Sequence, residues 1–158
     1  MVNRGEKWVG NLYSLLLGIL KEESAVVESL VDLGKDEVTA LKEDDISALR
    51  SAIDCQEGEI KRFLLLEQQR AEVLEGIGGA DALEYAGKAK EELEMEGSRL
   101  AARLEELAAV NETNRLLANQ ALSFAAMMQQ ALTDVTGGYD EKGQRIDSPG
   151  FTTIDTSA

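Results

Sequence analysis

The chain has 158 residues, the length of one domain, with 44 % apolar and 4 % aromatic residues, one proline (Pro149) and a formal net charge of −14. Its 16 Lys and Arg are outnumbered by 30 Asp and Glu, which argues against binding nucleic acid or an anionic membrane surface. The absence of histidine removes the commonest general base and metal ligand, and the single Cys55 excludes an intramolecular disulfide and suits a reducing compartment.

A first helix is predicted over about 5–41. Its seam reads Val9, Leu12, Leu16, Ile19, Glu23, Val26, Leu30 and Leu33, in alternating steps of three and four. Arg4 and Lys7 ahead of the apolar run Leu12 to Leu20 imitate a secretion signal. Lys21, Glu22 and Glu23 follow where a small-residue cleavage site would be needed, and the helical period continues through them. The expectation is therefore a mature helix start and a cytoplasmic protein. Gly18 and Gly34 each weaken the helix by up to ~1 kcal/mol relative to alanine and mark a close helix approach or a bend.

The charged segment Lys42-Glu43-Asp44-Asp45 breaks the period, and Asp44 or Asp45 is placed to cap a second helix over about 46–76. That helix has the seam Ile46, Leu49, Ile53, Gln56, Ile60, Phe63, Glu67, Arg70, Leu74 and Ile77. Gln56, Glu67 and Arg70 stand where apolar side chains would stabilise more, and such residues fix register at a cost in stability. The short connection makes the first two helices antiparallel neighbours. Gly76-Ile77-Gly78-Gly79 is a stop signal. Asp81 to Lys90 forms a short fourth helix or runs continuously into the third.

The third helix, about 90–135, would be roughly 65–70 Å long at ~1.5 Å per residue. Its seam is Leu93, Gly97, Leu100, Leu104, Leu107, Asn111, Asn114, Ala118, Ala121, Ala125, Met128, Leu132 and Val135. The two halves differ. Glu91 to Glu112 is heavily charged, whereas the eighteen residues Leu116 to Thr133 carry no charge. There Leu116, Leu117, Leu122, Phe124, Met127 and Met128 widen the seam into a face. Asn119, Gln120, Ser123, Gln129 and Gln130 make the stretch too polar for membrane insertion. Asn111 and Asn114 either specify register or begin a partner surface. The face Leu116 to Leu132 is either buried, within the chain or in a homodimer, or offered to a client helix, for which Met127 and Met128 give adaptable packing. Gly137-Gly138 ends the helix, and the polar tail 139–158 is expected to be disordered.

Sites for chemistry are not evident. Glu91, Glu92, Glu94, Glu96, Glu105 and Glu106 read as a solvated helical face pairing with Lys and Arg. Cys55 reads as an ordinary thiol, and the glycines at 76–79 neither follow a strand nor carry a phosphate-loop lysine. The expectation is an all-α, elongated, coiled-coil-like bundle of three long antiparallel helices, or four with the short one. One domain would cover 1–138, followed by a flexible tail over 139–158. No catalytic residue, cofactor or metal ligand is expected.

The order NETNRLLANQALSFAAMMQQAL followed by TGGYDEKG resembles the C-terminal half of FlgN-like flagellar export chaperones, on Asn111, Asn114, Leu116, Leu117, Gln120, Leu122, Phe124, Tyr139 and Gly143. The Leu-rich first helix, the turn Ala40-Leu41-Lys42-Glu43-Asp44-Asp45 and the Glu-rich helix carrying Glu67 and Arg70 resemble the family's first half, so the likeness covers most of 8–143. The tail from Gln144 to Ala158 has no counterpart in it.

The resemblance implies a bacterial cytoplasmic protein without enzymatic activity. Such a protein would bind the C-terminal helical segments of hook-associated (hook–filament junction) proteins, prevent premature assembly and deliver them to the flagellar type III export apparatus. It also implies a C-terminal client-binding region, to which Asn111, Asn114, Leu117, Leu122, Phe124 and Met128 are assigned. Tyr139 either docks the tail to the export machinery or packs back on the helix end. The competing expectation is a structural coiled-coil adaptor or self-associating helical protein using the same heptads.

Overall fold

The computed structural model describes residues 4–78, 87 and 89–136, with side chains over 10–78, 87 and 89–134. Among the described residues there are three helices and no strand: α1, Arg4–Glu43; α2, Ile46–Ile77; and α3, Ala89–Thr136. The fold is all-α, and every helix end lies within two residues of its predicted place. The tail 139–158 and most of the stretch considered for a fourth helix lie outside the described residues.

Two consecutive aspartates make the turn between α1 and α2. Asp44 has φ 55°, the left-handed region that Asp tolerates better than most side chains. This lets the Asp45 N–H donate to the Ala40 carbonyl at 2.9 Å, closing the α1 end in a Schellman pattern. Asp45 Oδ1 then accepts from the Ala48 N–H at 2.9 Å and caps α2. At the far end of α2, Gly78 takes φ 105° and shares its N–H between the carbonyls of Leu74 and Glu75, at 3.2 and 3.1 Å. The predicted cap and the predicted stop are both in place.

The chain divides into two compact units, one ending at Leu117 and one beginning at Ala118. In the first unit α1 is the helix around which the others pack. It buries Leu16, Ile19, Glu23, Val26 and Leu30, and beside them Tyr13, Leu20, Val27 and Val31. Two adjoining stripes, against the one predicted, are what a helix with neighbours on two sides requires. Leu66 and Val73 of α2 and Leu93 and Leu100 of α3 complete the core, with Phe63, Leu74, Ile77 and Leu107 packed against it.

Residue pairings give the directions. Glu23 meets Arg70 and Glu37 meets Gln56, so numbers rise in α1 as they fall in α2, and the two run in opposite directions. Glu28 meets Arg103 and Lys35 meets Glu106, so α1 and this part of α3 run in the same direction.

The period of the other two helices is as predicted, but the phase is corrected. In α2 the covered positions are Leu49, Ala52, Gln56, Glu59, Phe63, Leu66, Arg70, Val73, Leu74 and Ile77, while Ile46, Ile53, Ile60 and Glu67 are exposed. In α3 they include Leu93, Glu96, Gly97, Leu100, Arg103, Glu106, Leu107, Val110 and Asn114, while Leu104 and Asn111 are exposed. Every seventh residue was placed correctly, as were Leu74 and Gly97 between them; elsewhere the member between lies three residues on instead of four. Positions at +3 and +4 flank the same residue on opposite sides, so the side on which a neighbour packs chooses between them.

Candidate functional site

Polar residues in the seams pin the first unit. Glu23 is 0 % exposed, and its Oε1 accepts from Arg70 Nε at 3.1 Å, while Oε2 is buried with no hydrogen-bond partner in the chain. Burial pushes the Glu23 carboxyl above its ordinary range, and the Arg70 guanidinium opposes that rise without cancelling it. Arg70 also reaches Glu67 at 3.7 Å. One polar pair thus fixes the register of α2 on α1, at the cost in stability that a buried ion pair carries.

A second polar junction joins all three helices. Glu37 Oε2 accepts from Gln56 Nε2 at 2.9 Å and from Asn114 Nδ2 at 3.2 Å. Asn114 Nδ2 also donates to the Gly34 carbonyl at 3.0 Å. At Gly34 α1 and α3 come close, since a Cβ there would stand 2.6 Å from Val110 Cγ1. Of the two meanings open for Gly34, close approach is the one found; nothing lies within 4 Å of a Cβ built on Gly18. Ion pairs of Arg103 with Glu28 and of Lys35 with Glu106, both at 2.9 Å, line the same α1–α3 contact. Lys35 above all holds the Glu106 carboxyl below its ordinary range.

The predicted site residues separate into two groups. Asn114 is 5 % exposed and engaged with Gly34 and Glu37, so it anchors α3 within the first unit. Asn111 is exposed, and Leu117 is half-buried at the end of that unit.

The second unit, taken by itself, has a different surface. Every residue from Asn119 to Asp134 is exposed, including Leu122 at 68 %, Phe124 at 63 %, and Met127 and Met128. No side chain from Ala118 to Thr133 carries a charge. Ala121, Phe124, Met128 and Ala131 follow steps of three and four and share one side of the helix. An isolated exposed apolar residue is ordinary, but a contiguous uncharged set marks an interaction surface. Tyr139 lies outside the described residues.

Among the described residues the other candidates do not assemble into a reaction centre. Among the described residues no group of three His, Cys, Asp or Glu could hold a metal ion, and Cys55 is an exposed free thiol. No described helix is long and apolar enough to cross a membrane. The phase correction leaves one feature the sequence reading missed: Ile46, Ile53 and Ile60 form an exposed apolar row on α2, with Ile46 74 % exposed.

Among known proteins, the family described as FlgN protein matches residues 12–145, which span most of α1 and the whole of α2 and α3. No curated protein and no solved structure matches the chain. The family match covers most of the chain, and the chain belongs to the FlgN family of flagellar export chaperones.

Proposed function

We propose that this protein is a cytoplasmic, non-enzymatic chaperone of the flagellar type III export pathway. It holds the C-terminal helical segments of hook-associated proteins, keeps them from assembling early and delivers them to the export apparatus. The observation that carries this reading is the exposure of Leu122, Phe124, Met127 and Met128 on a charge-free stretch of helix. A segment that assembles through helical packing presents an amphipathic apolar stripe, and an exposed helical face of this kind covers such a stripe. The acidic remainder of the chain keeps the complex dispersed.

In this reading Leu122, Phe124 and Met128 make the principal contacts, Leu117 and Asn111 border them, and Asn114 holds α3 in place. Residues 1–138 act as one coiled-coil-like chaperone domain, and the tail from Tyr139 contacts the export gate. The test is co-purification from a lysate of flagellated bacteria with the intact chain and with a variant carrying Leu122→Asp, Phe124→Asp and Met128→Asp. The intact chain should capture hook-associated proteins and the helical variant should not. Capture by both, or loss of helicity in the variant, contradicts the proposal.

A further inference from the structure

We infer that the part of α3 within the first unit is a strap that opens from α1 while α1 and α2 stay packed. Among the described residues, four side-chain oxygens are buried with no hydrogen-bond partner in the chain: Glu23 Oε2, Ser24 Oγ, Glu96 Oε2 and Asn114 Oδ1. The last three belong to the contact between α1 and α3. Ser24 and Glu96 line one hollow of about 340 Å³ between these helices, together with Lys21, Arg99 and Arg103. Glu96 Oε1 is held by Arg99 at 3.0 Å, which leaves Oε2 over. Asn114 donates to the Gly34 carbonyl across the same contact, and its amide oxygen is left over. Docking α3 takes these three oxygens out of water without replacing their hydrogen bonds, and opening returns them to it.

The remaining links offset this only in part. The fully buried apolar side chains that α3 brings to the core are Leu93 and Leu100. The ion pairs of Arg103 with Glu28 and of Lys35 with Glu106 join side chains that are all more than a third exposed, and such pairs hold weakly. By contrast α2 buries Ala52, Leu66 and Val73 and packs Phe63, Leu74 and Ile77 against the core. It is also tied to α1 through the capped turn at Asp44 and Asp45. The two contacts of α1 thus differ in what holds them, and the weaker opens first.

Opening uncovers one side of α1. Ser24, Val27, Val31 and Gly34 follow steps of three, four and three, and all are buried. Val26 lies on the other stripe, with Leu30 and with the Glu23 that meets Arg70 of α2. The strap belongs to the first unit alone and does not depend on a client at the exposed stretch of α3.

The test is thiol labelling of the full chain with N-ethylmaleimide in a Cys55→Ser background. Val31→Cys and Val26→Cys are matched probes, since each valine is 1 % exposed, and circular dichroism checks that both variants are helical. Where reclosing outpaces labelling, the rate reports the open fraction. Position 31 should label at least about tenfold faster than position 26, which waits for the α1–α2 packing to come apart. Equal rates would mean that the unit opens as a whole, and would overturn the inference. Glu96→Met then asks whether the unpartnered oxygens are the cause, because it replaces a buried carboxylate with an apolar side chain of similar length. It should slow labelling at position 31 about tenfold. Unchanged or faster labelling there would remove that cause, and the inference with it.

Discussion

The helix α3 carries one heptad-like pattern through two different settings. Up to Leu117 the pattern is spent on α1, with Leu93 and Leu100 buried, Val110 against Gly34, and Asn114 bonded to the Gly34 carbonyl. From Asn119 the same spacing continues with every described side chain exposed. Charge marks the difference better than hydrophobicity does. The first stretch needs Arg103 and Glu106 to pair with Glu28 and Lys35, and the second has nothing charged to pair until Asp134. Periodicity reports that a helix has a sticky side, and composition around that side reports whether the chain itself covers it.

The largest expected effect comes from placing the same substitution in the two settings. Val27→Asp puts a carboxylate at a position 0 % exposed and should destabilise by about 4 kcal/mol or more. Phe124→Asp should stay within about 0.5 kcal/mol of the parent, as exposed substitutions do. Thermal melts of the two variants check this, and equal losses would erase the distinction between the regions.

Within the first unit, Arg70→Ala leaves the Glu23 carboxylate buried without its partner. The Arg70 side chain is itself 31 % exposed, so we expect about 2–3 kcal/mol, below the full penalty of breaking a dry pair. The same carboxylate gives a pH signature. Its raised folded pKa means that the fold binds the proton more tightly than the unfolded chain does. Its contribution to stability is fully present below the ordinary value of 4.5 and is lost as pH rises through the folded value. Melting temperature should rise as pH falls from neutrality toward 4.5, and Glu23→Gln should flatten that rise. Glu106 and Glu112 act oppositely and in a separate window. Their lowered carboxyls add stability above the ordinary value, which is lost as pH falls through their folded values.

The smallest effect concerns the close approach of α1 and α3. Gly34→Ala gains about 1 kcal/mol of helix propensity but crowds Val110, a penalty of about 1–3 kcal/mol. We expect a net loss of about 1 kcal/mol, reversing to a gain when the same change is made in a Val110→Ala background. The sign of this reversal, read by denaturant titration, locates the contact.

Much of this was legible in the sequence. Helix bounds followed from period and punctuation, because Asp45 and Gly78 act through local backbone chemistry alone. Of the polar seam residues singled out, Glu67 and Asn111 are exposed, whereas Gln56, Arg70 and Asn114 bond across helices, the register role of Asn114 having been one of two open alternatives. Their partners Glu37 and Glu23 were not identified, because pairings across 19, 47 and 77 residues leave no local trace. Phase was misjudged for the same reason. Ile53 and Ile60 are larger and more apolar than Ala52 and Glu59, yet the latter pair is covered, because α1 lies on their side of the helix. The exposure of the stretch after Leu117 was one of two open alternatives, since periodicity is identical for a buried and an exposed face.

The methionines provide the most direct measurement of the central claim, that the proposed client surface lies on the exposed, uncharged stretch of the second unit. Met95 is exposed in the first unit, and Met127 and Met128 are exposed in the second, so each region carries a native methyl reporter. Methyl NMR of the intact chain, titrated with the C-terminal helical segment of a hook-associated protein, should shift Met127 and Met128 and leave Met95 in place. A shift at Met95 with Met127 and Met128 unmoved would contradict the account.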